Sequence, residues 1–189
     1  ELCGLGGKDP VEARRRLLAK TPRLLNVLNI VAEKSGWGTK PPAGRFRGVA
    51  VAVNVGSYVA QVAEVSITKG KVRVYRVVCA IDSGQVINPA ILRQQVEGGV
   101  VFGLAAMKGE ITLERGRVTQ SNFNNFDIAR MDETPVLETY IVPSTERPMD
   151  HLDSSCSVMV QGIQPGVFAL YATPVLRHAF WDSRCKVLD

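Results

Sequence analysis

Cys79-Ala80-Ile81-Asp82-Ser83-Gly84-Gln85-Val86-Ile87-Asn88-Pro89, followed shortly by Gln95-Val96-Glu97-Gly98-Gly99-Val100-Val101-Phe102-Gly103, is the stretch that decides the fold. It predicts a strand ending at Asp82, a turn through Ser83-Gly84, and a helix capped by Asn88 with Pro89 at its first position. Gly98, Gly99 and Gly103 fall inside that helix, where each glycine costs about 1 kcal/mol against alanine. Such a cost persists where a neighbour packs close to the backbone, whether another element or a ligand. The spacing puts Gly99 and Gly103 on one face with Gly98 near its edge, so the glycine face is expected against a close neighbour.

Upstream of this unit lie strands. Gly48 to Val53 is short and apolar, and Tyr58 to Thr68 is expected to pair with Lys71 to Asp82 across a tight Lys69-Gly70 turn. Within Tyr58–Thr68, alternation places Val59, Gln61, Ala63, Val65 and Ile67 on one face. Gln61 is the polar exception there; if that face is buried, its amide needs a cross-strand, backbone or ligand partner. Two helices precede the strands. Asp9-Pro10-Val11-Glu12 starts the first, expected to reach about Lys20. Thr21-Pro22 starts the second, with Leu24, Leu25, Leu28, Val31 and Ala32 at helical spacing and Gly36 as its stop. Downstream, Glu110–Leu113 and Arg117–Thr119 predict a second hairpin, and Val136–Val142 a last strand. The fold class is therefore α+β: two N-terminal helices, then a mixed or antiparallel sheet with the glycine-bearing helix packed on it.

At 189 residues the chain can bury one good core, and 46% hydrophobic with 22% charged residues is an ordinary globular composition. No apolar run approaches the roughly 20 residues that cross a bilayer, so no membrane span is expected. The net charge of +5 gathers early, at Arg14, Arg15, Arg16, Lys20 and Arg23. No aromatic platform accompanies it, so a solvated helix face or a surface facing a partner subunit is expected, and nucleic acid is not a partner. Cys3, Cys79, Cys156 and Cys185 are scattered, and neither they nor His151 and His178 have zinc-ligand spacing; no metal ligands are assigned.

Asp-x-Gly-x-x-x-Asn-Pro followed by Gln-x-Glu-Gly-Gly-x-x-x-Gly-Leu resembles the C-terminal region of the molybdopterin-binding large subunit of the xanthine dehydrogenase/aldehyde oxidase superfamily, isoquinoline 1-oxidoreductase beta-subunit type. Gly7-Lys8-Asp9-Pro10, Ala32-Glu33-Lys34-Ser35-Gly36-Trp37-Gly38, Tyr58-Val59-Ala60-Gln61-Val62-Ala63-Glu64-Val65 and Gln120-Ser121-Asn122-Phe123 agree in the same order, so the likeness covers about residues 8–148. The resemblance implies a molybdenum hydroxylase, which oxidises N-heterocycles or aldehydes with water as oxygen source. It implies a molybdenum cofactor held by a pterin dithiolene, an iron–sulfur subunit or domain through which the electrons leave, and the rest of the large subunit as partner. Gln95, Gly98 and Gly99, and more weakly Gln61, are the residues it implies near the cofactor.

The likeness stops after Pro148. The family continues into a Gly-x-Gly-Glu-Pro element whose glutamate is the general base; here the chain reads Met149-Asp150-His151-Leu152-Asp153, and no catalytic residue is assigned. Residues 1–148 are thus expected to form the C-terminal part of a molybdopterin-binding domain, and 149–189 a divergent, loosely packed tail, fitting a shifted reading frame or an alternative terminus. The chain begins at Glu1 within family-like sequence, as a fragment would. The missing glutamate leaves two readings open: part of a molybdopterin housing, or a non-catalytic assembly module or inactive remnant.

Overall fold

A computed structural model describes residues 7–147 apart from 55, 69, 70, 109 and 110. The expected Lys69-Gly70 turn and the segment from Met149 onward therefore lie outside the described residues.

Helix α1 (Pro10–Leu17) starts where Asp9 Oδ1 accepts the amides of Val11 and Glu12, both at 2.9 Å. It is one turn shorter than expected, because Leu18 already serves as its C-cap. Helix α2 (Pro22–Ser35) buries Leu24, Val27, Leu28, Val31 and Ala32, and ends at Gly36 in the left-handed conformation (φ +65°).

Four strands form the main sheet in the order β1 (Phe46–Asn54), β2 (Ser57–Thr68), β3 (Lys71–Asp82), β6 (Val136–Ile141). The first three are antiparallel neighbours, and β6 joins β3 in parallel, so the sheet is mixed. A parallel neighbour needs a long crossover. Helix α3 (Pro89–Lys108), the short hairpin β4 (Leu113–Glu114) and β5 (Arg117–Val118), and a 3₁₀ turn at Met131–Glu133 supply it. The hairpin turn is one residue shorter than the sequence predicts, with Arg115 at φ +50° and Gly116 at φ +79° between β4 and β5.

Each sheet face is covered. On one side Val49, Ala60, Val62, Val78 and Ala80 pack with Val27, Leu28 and Val31 of α2. On the other, Val59, Cys79 and Ile81 pack with Leu92 and Val96 of α3, and Ala63, Val65 and Val77 with Val100 and Leu104. Strand β2 is consequently buried on both faces from Val59 to Ser66, which explains its near-continuous apolar run. Leu28 is fully buried at the centre of the α2 layer. We expect Leu28→Ala to lower unfolding stability by about 2–5 kcal/mol through lost burial and a residual cavity, measured by urea denaturation of the full chain.

Candidate functional site

The β3–α3 junction forms as the sequence predicts. Asn88 Oδ1 accepts the amides of Ala90 (3.0 Å) and Ile91 (3.2 Å), and Pro89 opens the helix. From there Leu92, Val96, Val100 and Leu104, four apart, point to the sheet and are buried. Gly98 is two residues from both Val96 and Val100, which places it on the opposite side at about 100° per residue. It is exposed, and a Cβ there would meet nothing within 4 Å. The expectation that Gly98 faces a close neighbour is thereby corrected for the described residues. Gly99 is half-buried and Gly103 buried.

The outer side of α3 has its own order. Ile91, Gln95, Gly98 and Phe102 recur at spacings of four, three and four, and so form one stripe. Ile91 and Phe102 are exposed, Phe102 at 70%, while Gln95 is half-exposed. The stripe carries no charge. At its middle, between Gln95 and Phe102 along the stripe, Gly98 leaves a notch in the row of side chains. This is an open face: a hollow of about 460 Å³ between α1 and α2, and another of about 330 Å³ lined by Ile111, Phe123 and Phe126, both lie away from it.

Gln61 lies elsewhere. It is completely buried in β2, between Ala50 and Cys79 in the sheet register. Both neighbours belong to the cluster under Leu92 and Val96, so Gln61 sits on the inner side of α3 while Gly98 sits on the outer. Its Nε2 donates to Cys79 Sγ at 3.6 Å, the cross-strand bond that burial of its face demands. The structure therefore brings Gln95, Gly98 and Gly99 together on one helix and separates Gln61 from the notch. Burial pushes the Cys79 thiol up to about 12, the Gln61 hydrogen bond opposing this, so the sulfur is neutral.

Asp82, which the sequence marks only as a strand end, is the most connected polar group at the junction. Arg23 of α2 holds it by two bonds, Nε to Oδ2 at 2.8 Å and Nη2 to Oδ1 at 2.6 Å. The same guanidinium lies 4.5 Å from the centre of the Tyr58 ring. The sequence signal for it is Asp-x-Gly, an acidic residue two before a glycine whose amide it accepts at 3.2 Å. Burial raises the Asp82 pKa, but the bonds from Arg23 and Gly84 outweigh it and the net shift is downward. Glu138 is lowered as well, by its bonds from Arg76.

The chain is similar to known proteins in sequence and in fold. The model of the molybdopterin cofactor-binding domain family matches residues 28–135. The beta chain of isoquinoline 1-oxidoreductase from Brevundimonas diminuta is 32% identical over 144 residues, covering 73% of this chain and 18% of that protein. One of the subunits of nicotinate dehydrogenase from Pseudomonas putida is 29% identical over 178 residues, 84% of this chain and 15% of that protein. The latter alignment takes in more of the chain than residues 1–148 supply. The chain thus spans less than a fifth of the length of either relative. Among solved structures, reconstituted CO dehydrogenase from Oligotropha carboxidovorans superposes with a TM-score of 0.55 at 27% identity, over 61% of this chain and 16% of that one. The aldehyde oxidoreductase of Desulfovibrio desulfuricans gives 0.52 at 20% identity, over 59% and 13%, which speaks for the fold alone.

Two outcomes are expected. Because the folded-state pKa values of Asp82 and Glu138 lie below their unfolded ones, the stability they contribute is present above the ordinary carboxylate range and lost as pH falls through the folded values. The urea midpoint should hold steady down to about pH 5 and fall below about pH 4. Cys79 should resist iodoacetamide at about pH 8 in the folded chain and react on unfolding, as peptide mapping would read.

Proposed function

The chain belongs to the molybdopterin cofactor-binding domain family, and from that membership we propose that it forms one wall of the cofactor housing in a molybdenum oxidoreductase, with the outer stripe of α3 as the cofactor-facing surface. The observation that carries the proposal is the notch at Gly98. An interior helix glycine whose Cβ would meet nothing among the described residues lowers stability without improving any packing there, so the approach it permits is to something beyond those residues.

The residues present fit the group. The cofactor's dithiolene holds its own metal, so the protein has to supply close backbone approach and hydrogen-bond donors rather than ligands. Gly98, with Gly99 at its flank, would provide the approach, the Gln95 carboxamide on the same stripe would donate, and the exposed Phe102 ring would cover one end. Gln61 supports this surface from beneath, through the sheet, and does not reach it. When bound, the cofactor supplies the redox chemistry of the oxidation. The substrate class proposed from the relatives is an N-heterocycle or an aldehyde, and the proposed partners are an iron–sulfur subunit or domain and the remainder of a large subunit.

On this reading the isolated chain neither retains molybdenum nor turns over substrate, because it offers one wall and no assigned general base. The alternative is a non-catalytic assembly module whose outer α3 stripe is only a packing seam. Gly98→Leu separates the two. In the isolated chain it should raise stability by about 0.5–1 kcal/mol, since a better helix former enters open space. In the complete subunit it should cut molybdenum content at least several-fold. A packing seam would instead show a subunit that fails to assemble while molybdenum per assembled enzyme stays constant; that result sinks the cofactor role.

A further inference from the structure

The turn that launches α3 does not hold itself together. Ser83 is completely buried and its Oγ finds no hydrogen-bond partner among the described residues. Gly84 sits at φ +79°, and a Cβ there would clash with the backbone of residues 146–147, lying 2.8 Å from Glu146 O. What closes the turn comes from two distant parts of the chain. From α2, Arg23 grips Asp82, whose Oδ1 in turn accepts the Gly84 amide. From the segment after β6, Glu146 O accepts the Gln85 amide at 2.8 Å, Ser144 adds a side-chain bond to Asp82, and the Val142 amide donates to Ile81 O at 2.8 Å.

We infer that Asp82 is a positioning residue: with Arg23, Ser144 and the carbonyl of Glu146 it forms a three-part latch that fixes the first turn of α3 relative to the sheet, and with it the Gln95–Gly99 surface. Asp82 touches no proposed ligand. It acts by setting where the Asn88 cap begins, six residues away, and Val86 between them packs into the cluster under Leu92 and Val96. The strap 143–147 is held at the same point, so the latch also fixes the direction in which the chain leaves the domain. The functional meaning rests on the reading that α3 faces the cofactor; the latch itself does not.

Amide hydrogen exchange of the full chain without cofactor tests it. Asp82→Asn keeps an oxygen for the Gly84 amide but weakens the grip of Arg23. Exchange at Gln85, Ala90 and Ile91 should then quicken by roughly tenfold or more, the signature of a local opening, while Val62 and Val78 in the sheet centre change far less. Arg23→Lys, which keeps the charge and loses the paired bonds, should give a smaller rise at the same amides. It carries the test should Asp82→Asn unfold the chain. Gly84→Ala, which displaces the strap and leaves both charges, should quicken Gln85 most. Equal acceleration at Gln85 and at Val62 would make Asp82 an ordinary stability contact and overturn the latch, as would no acceleration at Gln85. Because no cofactor enters the measurement, that failure would leave the cofactor reading standing, and an intact latch would survive failure of the Gly98 test.

Discussion

Guanidinium groups fasten helix α2 to the sheet at both of its ends, and the arrangement of everything else follows. At its N-terminal end Arg23 reaches across to Asp82. At its C-terminal end Arg76 of β3 pairs with Glu138 of β6 and also donates to Lys34 O (3.1 Å) and Ser35 O (3.4 Å). Arg47 adds a bond to Gly36 O at 2.7 Å while pairing with Glu64. The last carbonyls of a helix have no partner within it. Here arginines of the sheet supply one, and so convert a helix end into a long-range tie. The two ends differ in strength. Arg76–Glu138 is about a third exposed on each side, where ion pairs contribute roughly 0–1 kcal/mol. Asp82 is 5% exposed, so removing its partner leaves a buried carboxylate uncompensated at the turn, a larger local cost than at the exposed pair. The N-terminal tie is therefore the one the structure can least do without, and it sits where α3 begins.

Helix α3 is built on a different principle. Its inner side is as regular as that of any amphipathic helix, with Leu92, Val96, Val100 and Leu104 against the sheet. Its outer side sets Ile91 and Phe102 in water and gives a helix position to Gly98. Neither choice helps this chain fold alone. Beyond the helix, the exposed Ile111, Val118 and Phe123 line one shared hollow. Exposed apolar residues gathered in this way mark a surface built to be covered, and on the proposed reading the cover is the cofactor at the notch and the rest of a large subunit around it.

Much of this is legible in the residues. Caps, proline positions and the Gly36 stop locate both early helices because those signals act locally, through backbone amides within one turn. Short apolar runs and a tight turn between two of them locate β1 to β3 for the same reason. What cannot be read is which side of α3 each glycine takes, because three glycines leave the helix phase to Leu92, Val96, Val100 and Leu104, and that pattern has meaning only once the sheet is in place. Gln61 illustrates the same limit. Its need for a partner follows from the alternation of β2, but its distance from Gly98 depends on the thickness of a helix lying between them. Asp82 escapes notice as a hub because two of its three partners, Arg23 and Ser144, are 59 and 62 residues away, and no spacing rule connects residues so far apart.

The separation of Gln61 from the notch also tells how such a wall has to work. A surface that holds a large rigid group must keep its own shape, and α3, with a glycine pair in its middle, is not stiff by itself. Stiffness comes from below: a strand buried on both faces, a neutral Cys79 accepting from Gln61, and four aliphatic anchors at one spacing. It comes from the side as well, through the Asp82 turn. Glycines can then serve close approach at the positions where the sheet has made backbone freedom harmless. On the proposed reading, the residues that would touch the cofactor and the residues that hold them in place are thus different sets, the first on the outer side of one helix, the second beneath it and at its start.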